Sequence, residues 1–158
     1  MEFLASIKEL WTRLTCGARP CVFCEIASGV RKEEILYQDD EILAFYDIKP
    51  AAETHIMVIP ARHIVSVHTV TVDDYDLLLR MKAKALDLLK QFGHDVEASR
   101  LGFHIPPFNT VNHLHLHVLG GKFKSALRES KYEPGKIYYM ELSQLLTKLE
   151  TKMPTEKR

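Results

Sequence analysis

The sequence has few cysteines, a single tryptophan and no hydrophobic run near the roughly 18 residues that cross a membrane. Its three cysteines, Cys16, Cys21 and Cys24, lie together near one end, and an odd number so placed does not describe a disulfide framework. The N-terminus lacks the basic start and apolar centre of a secretory signal. We therefore expect a cytoplasmic protein, small enough to enter the nucleus, with no membrane association.

The chain also lacks net charge, because 21 Lys and Arg residues balance 21 Asp and Glu residues. A net charge of zero does not attract a long nucleic acid, so any recognition of phosphate must come from local groups. The length of 158 residues, with 46% hydrophobic and 27% charged residues, is ordinary for one soluble globular domain. We therefore expect the partner to be a small molecule. The sequence contains no internal repeat.

The chain divides into three predicted parts. Apolar residues recur at helical spacing from Phe3 to Leu14, which predicts an amphipathic N-terminal helix over residues 1–18. Lys8 and Arg13 in this helix are offset by Glu2 and Glu9, which argues against a targeting helix. A folded domain is predicted over residues 19–150 and a disordered tail over residues 151–158.

The folded part contains strand-like runs separated by turn residues, together with one long helical pattern. A capping box of Thr71 and Asp74 precedes the helix, Gly93 ends it, and Ser143 is predicted to open a later short helix. The strand-like runs cover residues 35–37, 42–47, 56–59, 101–104, 113–119 and 137–140. This order predicts an α+β fold: an antiparallel sheet with one main helix and peripheral ones.

The most informative segment is residues 113–119, HLHLHVL, in which three histidines alternate with aliphatic residues. In an extended strand this period of two puts the imidazoles on one face, about 6–7 Å apart, and the aliphatics on the other. Such a row can contact one small anionic group such as a phosphate. The alternatives are a metal site, since strand histidines spaced i, i+2 can chelate zinc, or a structural row of hydrogen-bonded histidines.

Together with residues 42–50 (ILAFYDIKP) and 54–60 (THIMVIP), this row resembles the histidine triad nucleotide-binding family. The resemblance covers about residues 21–120 and is strongest to the third type of the family, the adenosine 5′-monophosphoramidases. It implies a five-stranded antiparallel sheet with helices, paired as a homodimer. It also implies a hydrolase that cleaves the P–N bond of adenosine 5′-phosphoramidates, and mixed anhydrides of AMP with acyl groups, to release AMP without a cofactor.

The resemblance assigns roles to the histidines. His115 would be the nucleophile that carries the nucleotidyl group, as suits a neutral imidazole near pH 7. His117 would bond a phosphate oxygen and help the leaving group depart, and His113 would orient the ring of His115. His55, on a neighbouring strand, would hold the protonation pattern of the row, although taken alone it reads as a core histidine.

The resemblance also assigns nucleotide-binding residues. Asp47 would receive the ribose hydroxyls, and its plain alternative is a turn residue before Pro50. Thr110 would reach the phosphate or leaving group, and its alternative is a turn hydroxyl. The base pocket would be formed by apolar side chains that otherwise read as core: Phe23, Ile26, Phe45 and Ile48.

The segment ahead of the histidine row departs from the family's commonest pattern, an Asn followed by a Gly-rich loop. Here the chain reads GFHIPPFNTVN over residues 102–112. The shorter, proline-containing form resembles the third type and also aprataxin, which removes adenylate from nucleic acid ends. Contacts of that loop with phosphate are not carried over, and His104 is a candidate to replace one of them.

Two further alternatives are open. Cys21 and Cys24 have the spacing of half a zinc site, with His113 and either His63 or His68 as conceivable partners; such a metal would be structural, and we predict no catalytic metal. The rival functions are an aprataxin-like deadenylase of nucleic acid ends, which balanced charge disfavours, and a nucleotide-binding regulatory module without catalysis, which an intact histidine row disfavours.

Overall fold

The computed structural model describes residues 21–154, which fold into one sheet with helices on both faces. A single turn of 3₁₀ helix, Val72–Asp74, leads into the longest helix. The strands are β1 (Ile35–Gln38), β2 (Ile42–Tyr46), β3 (Ala52–Pro60), β4 (Arg100–His104), β5 (Leu116–Phe123) and β6 (Tyr139–Glu141). The helices are α1 (Val22–Ala27), α2 (Tyr75–Gln91), α3 (Ala126–Ser130) and α4 (Leu142–Glu150).

The sheet has the order β1-β2-β3-β5-β4-β6, and every neighbouring pair is antiparallel. The two longest strands, β3 and β5, are its centre. Their register places Met57 opposite His117 and His55 opposite Leu119. Since β4 pairs β5 with Gly102 opposite His117, the end of β4 that carries His104 also lies beside the histidine row.

The main core lies between one face of the sheet and the helices α2 and α4. Leu114, Leu116 and Val118 point into it, at the alternate positions of the histidine segment. Helix α2 contributes Leu78, Met81 and other buried side chains along one stripe. Burial of that stripe stabilises the helix against the sheet by the transfer of apolar surface out of water. The histidines are consequently directed to the opposite face.

The opposite face carries a smaller apolar cluster under α1. Phe23, Cys24 and Ile26 of that helix pack against Phe45 and Met57 of the sheet, among other residues. Farther along the same face, Ala51, Leu119, Tyr132 and Tyr139 form a third cluster. The histidine row runs between these two clusters, so its rings are enclosed by apolar and aromatic side chains.

The predicted α+β class, the antiparallel sheet and the long helix are confirmed, and the Thr71–Asp74 capping box is present at the 3₁₀ turn. The five-stranded count implied by the resemblance is wrong, because β6 pairs with β4 as a sixth strand. Ser143 does not open α4, since Glu141 is its N-cap and forms a capping box with Gln144. Helices α1 and α3, six and five residues long, carry no periodic pattern that a sequence reading could detect.

The predicted helix over residues 1–18 and the last four residues of the predicted tail lie outside the described residues. Between residues 21 and 154, no helix is both long enough and apolar enough to cross a membrane.

Candidate active site

The histidine row enters the sheet from an extended segment. Strand β5 begins only at Leu116, so His113 and His115 precede it and His117 is its second residue. The predicted period of two still holds, because Leu114, Leu116 and Val118 are in the main core whereas the three imidazoles face the other side. All three histidines are buried. The sequence therefore places the rings correctly on one face, although the regular strand is shorter than predicted.

The Nδ1 atom of His115 lies 2.6 Å from the backbone carbonyl oxygen of His113. A carbonyl only accepts, so Nδ1 carries the proton of the neutral ring and Nε2 retains a lone pair. Burial lowers the pKa of His115, with the nearby His104 acting in the same direction, and the hydrogen bond to His113 opposing. The ring is consequently a neutral imidazole whose unprotonated nitrogen is Nε2.

His113 acts on His115 through its backbone. Its own ring points elsewhere: Nε2 donates to the carbonyl oxygen of Pro60 at 3.0 Å, and Nδ1 faces the sulfur atoms of Cys21 and Cys24 at 3.5 Å each. The resemblance implies that His113 orients the ring of His115. If His113 has this role, its carbonyl oxygen is the atom that contacts the ring of His115.

His117 lies between two other histidines. Its Nδ1 is 2.9 Å from Nε2 of His55, and its Nε2 is 3.0 Å from Nδ1 of His104. His55 Nδ1 accepts from the backbone N–H of Ala51 at 3.1 Å, and His104 Nε2 donates to the carbonyl oxygen of Lys131 at 2.9 Å. The result is a continuous chain of hydrogen bonds through three imidazoles.

Burial dominates the electrostatics of this chain. It lowers the pKa of His117 well below its ordinary value, lowers that of His104, and lowers that of His55 to about 4. The carboxylate of Asp47 opposes the shift at His55, because a nearby negative charge favours the protonated ring. At neutral pH all three rings are therefore uncharged.

Asp47 and Ile48 lie at the end of β2. One carboxylate oxygen of Asp47 accepts from the backbone N–H of Lys49 at 2.6 Å, and the other is 3.5 Å from Nε2 of His55. Asp47 is therefore a turn residue, as the alternative interpretation of the sequence predicted, but its second carboxylate oxygen faces the histidines. Ile48 is 82% exposed, so it stands at the rim of the site and is not part of a closed pocket in the structure.

The other predicted pocket residues group beside His115. The ring of Phe23 lies 5.4 Å from that of His115 and 5.6 Å from that of Phe45, both in edge contacts. Ile26 is buried in the same cluster. The three side chains from α1 and β2 thus form one apolar wall next to His115.

Thr110 is exposed in the loop before the row, and no hydrogen bond of its hydroxyl is found among the described residues. The neighbouring Asn109 holds the loop, since its amide donates to the carbonyl oxygen of Val111 and to the side chain of Asn112, both at 3.0 Å. A small, water-sized cavity lies between this loop and the row, and His104, Asn109 and His115 are among its lining residues.

A second cluster on the same face offers four metal-ligating atoms, from Cys21, Cys24, His63 and His113, all within 4.8 Å of one another. Cys24 Sγ lies 3.3 Å from His63 Nδ1. Of the two partners considered from the sequence, His63 is in the cluster and His68 is not. Two sulfur and two imidazole donors at these separations suit tetrahedral zinc, provided that both sulfurs are thiolates.

The bond from His113 Nε2 to Pro60 supports the same assignment. It places the ring proton on Nε2 and leaves Nδ1 free to ligate, as is usual for histidines that bind zinc. A metal there would link α1 to the segment after β3. His115 is not among the four ligands, so its Nε2 would remain available.

Tyr132 is a site residue that the sequence did not reveal. Its ring packs 4.9 Å from His104, 5.1 Å from His117 and 5.4 Å from His55. Burial raises its pKa to about 12, so it stays a neutral phenol. It follows the short helix α3, and no local pattern marks it.

The sequence and the fold were compared with those of known proteins. Residues 20–133 match the family model described as "Scavenger mRNA decapping enzyme C-term binding". The chain is 39% identical over 117 residues to an Arabidopsis thaliana protein named bifunctional adenosine 5′-phosphosulfate phosphorylase/adenylylsulfatase HINT4, an alignment covering 72% of this chain and 78% of that protein.

The chain is 42% identical over 101 residues to the Xenopus tropicalis protein named adenosine 5′-monophosphoramidase HINT3, covering 63% of this chain and 66% of that protein. Among solved structures, a HIT family hydrolase from Legionella pneumophila Philadelphia 1 superposes with a TM-score of 0.64 at 37% identity, over 68% of this chain and 97% of that one. The chain belongs to the histidine triad family of nucleotide hydrolases.

Proposed function

We propose that the protein hydrolyses the P–N bond of adenosine 5′-phosphoramidates through a covalent nucleotidyl-His115 intermediate. The observation that carries the proposal is the 2.6 Å contact of His115 Nδ1 with the His113 carbonyl. It leaves Nε2 unprotonated on a neutral ring, which is the state required of an imidazole nucleophile. The name of the Xenopus relative, adenosine 5′-monophosphoramidase, supports the same reaction.

The chemistry proceeds in two steps. His115 Nε2 forms a bond to the α-phosphorus while the P–N bond breaks, and its electron pair goes to the leaving nitrogen, which takes a proton from solvent. Water then attacks the phosphorus, the bond to Nε2 breaks with its electron pair returning to His115, and AMP and a proton are released. One proton enters and one leaves, so the net reaction consumes only water.

His117 assists by charge stabilisation in this proposal. Its ring lies beside that of His115, with the two ring centroids 5.0 Å apart, and its Nε2–H donates to His104 Nδ1 in the structure. Donation to a non-bridging phosphoryl oxygen stabilises the charge that builds up as the phosphorus is attacked. Because the ring is neutral, it serves as a hydrogen-bond donor and not as the source of the proton on the leaving group.

The nucleotide would bind against the apolar wall beside His115. Phe23, Phe45 and Ile26 offer a surface for the base next to His115, and the exposed Ile48 can close over it. Asp47 has a carboxylate oxygen directed to the site for the ribose hydroxyls. Thr110 is free to turn its hydroxyl toward the phosphate or the leaving group.

The decisive experiment is turnover of a fluorogenic adenosine phosphoramidate by wild-type protein and by His115→Ala. We expect the substitution to abolish turnover while AMP binding, measured by calorimetry, is retained. His68→Ala, an exposed histidine outside the site, is the control and should turn over normally. Equal rates for His115→Ala and the wild type would disprove the nucleophile assignment.

The intermediate is tested by intact-protein mass after rapid quench. An adduct of one nucleoside monophosphate that maps to His115 is expected. If the wild type binds AMP but shows neither adduct nor turnover, the protein is a regulatory module. If it acts on 5′-adenylated oligonucleotides and not on mononucleotides, it is a deadenylase. Adenosine 5′-phosphosulfate should be assayed in parallel, because the name of the Arabidopsis relative includes adenylylsulfatase activity.

We also propose a homodimer in the cytoplasm and nucleus as the working form. The proposal comes from the resemblance to the family, and light scattering at micromolar concentration tests the first part. A monomer at all concentrations would overturn it. Imaging of a tagged chain tests the second part.

A further inference from the structure

The chain of three imidazoles through His117 has both of its ends determined by backbone groups. At one end, the N–H of Ala51 can only donate, so His55 Nδ1 is the acceptor and the proton of neutral His55 is on Nε2. At the other end, the carbonyl of Lys131 can only accept, so the proton of neutral His104 is on Nε2 and its Nδ1 has a lone pair.

Both ends of this network require the same tautomer of His117, the ring between them. His55 Nε2–H donates to His117 Nδ1 at 2.9 Å, which leaves the proton of His117 on Nε2. His104 Nδ1, with its lone pair, accepts that proton at 3.0 Å. Every ring nitrogen of these three histidines therefore has a partner of the correct kind, and the direction of donation is uniform from Ala51 to Lys131. Asp47 is a second neighbour of His55 Nε2, at 3.5 Å.

His104 is part of this hydrogen-bond network but not of the histidine row at residues 113–117. It comes from β4, and its ring is held between the rings of His117, 4.7 Å away, and Tyr132. His117 is only 4% exposed, so without His104 its Nε2–H would have no partner in a buried site. An unpartnered buried donor is unfavourable, because it has lost its hydrogen bonds to water without replacement, and this would favour rotation of the ring away from this arrangement.

We propose that His104 is a positioning residue that holds the His117 ring and its Nε2–H tautomer ready for the reaction at His115. The inference rests on the proposed function, in which His117 Nε2–H donates to the phosphoryl group. His104 acts through His117 and is not itself the donor to substrate. Its lone pair keeps the proton on His117 Nε2 until the substrate's oxygen competes for it.

Two amide substitutions separate the two hydrogen bonds of His104. In His104→Asn the side-chain oxygen occupies the place of Nδ1 and can still accept from His117, whereas the bond to Lys131 is lost. In His104→Gln the amide reaches the place of Nε2 and can still donate to Lys131, whereas the acceptor for His117 is lost. The two variants therefore differ in both contacts, and only His104→Asn keeps the acceptor for His117 that the proposal invokes.

We expect His104→Gln to lower kcat by about 10- to 100-fold, the usual effect of removing a hydrogen-bonded supporting residue, with little change in KM. His104→Asn should recover most of that loss. The two variants are compared at equal folded fraction, verified by thermal unfolding. Equal loss in both, or wild-type kcat in His104→Gln, would overturn the proposal.

A readout without substrate distinguishes this proposal from the proposed function. In protein labelled with ¹⁵N at histidine, NMR correlations between ring nitrogens and carbon-bound protons show which nitrogen of His117 carries the proton. Wild type and His104→Asn should show Nε2–H, and His104→Gln should show a shifted or exchanging signal. An unchanged His117 signal in His104→Gln refutes the positioning role even if His115→Ala behaves as expected.

Discussion

Acid should destabilise the fold through His55, and the structure gives the size of the effect. Burial lowers the pKa of His55 from its ordinary value of 6.5 to about 4. The unfolded chain therefore binds this proton more readily than the folded chain at any pH between these values. Stability is complete above pH 6.5 and is lost as the pH falls toward 4.

The magnitude follows from the two pKa values. At pH 5, about 97% of unfolded chains carry a proton on His55, against about 10% of folded chains, and the difference in proton binding amounts to about 2 kcal/mol between pH 7 and pH 5. The loss is a large part of the 5–15 kcal/mol that typically stabilises a domain. The other buried histidines have pKa values lowered in the same direction and add to it.

The assay is urea unfolding at pH 7 and pH 5, with chelator and reductant present, for wild type and His55→Gln. Glutamine keeps a donor at the place of Nε2 but does not titrate. The variant should lose about 2 kcal/mol less than wild type between the two pH values, a difference of about 1 M in urea midpoint for a typical m-value. The quantity compared is the change in the free energy of unfolding between pH 7 and pH 5. A destabilisation by the substitution that is the same at both pH values therefore cancels.

His68→Gln is the control, because His68 is exposed and should leave the pH dependence of the wild type unaltered. If His55→Gln loses as much stability as the wild type on acidification, His55 is not the buried neutral group described here. A wild type equally stable at both pH values would refute the reasoning for the whole row.

Three further outcomes are expected. Gly102→Ala should destabilise the fold by about 1–3 kcal/mol in thermal or urea unfolding, because an added Cβ would lie 2.5 Å from Tyr139; an unchanged midpoint would contradict that packing. Asp74→Ala should lower stability by about 0.5–2 kcal/mol through loss of the cap on the 3₁₀ turn and of the ion pair with Arg62, and a neutral result would show that neither contact contributes. Reduced protein should bind one zinc ion by metal analysis, His63→Ala should weaken binding, and His68→Ala should not; equal binding by both variants would exclude the cluster.

Much of the fold was predictable because its signals are local. The period of two over residues 113–119 separates Leu114, Leu116 and Val118 from the histidines, and the structure has the same division. The capping box at Thr71 and Asp74 lies at the turn that leads into α2. Each of these patterns depends on residues within a few positions of one another.

What the sequence missed depends on contacts between distant parts of the chain. Local patterns indicated six strand-like runs, yet the resemblance implied five strands. Only the pairing of residues 102–104 with residues 139–141 decides that β6 joins the sheet. Helix α1 is too short to be periodic, and its packing against β2 and β3 is what holds it. Tyr132 reaches the site from a segment without any motif.

The chemistry of the histidine row depends on backbone atoms that the row itself does not specify. A carbonyl of His113 places the proton of His115, whereas Ala51 and Lys131, from two other segments, determine the tautomer of His117. The alternation of residue types shows that three imidazoles share a face, but it does not distinguish a nucleophile from a donor.

Different atoms of one histidine can have different roles in this site. His113 contributes its carbonyl oxygen to the nucleophile and its ring to the cysteine cluster, so the candidate metal site and the candidate active site share one residue without sharing an atom. A ligand bound to that ring would restrain the peptide that aims His115 while leaving its Nε2 open. In the proposed mechanism the row is therefore one structural unit in which the first ring anchors, the second attacks and the third donates, and each function follows from a different hydrogen-bond partner.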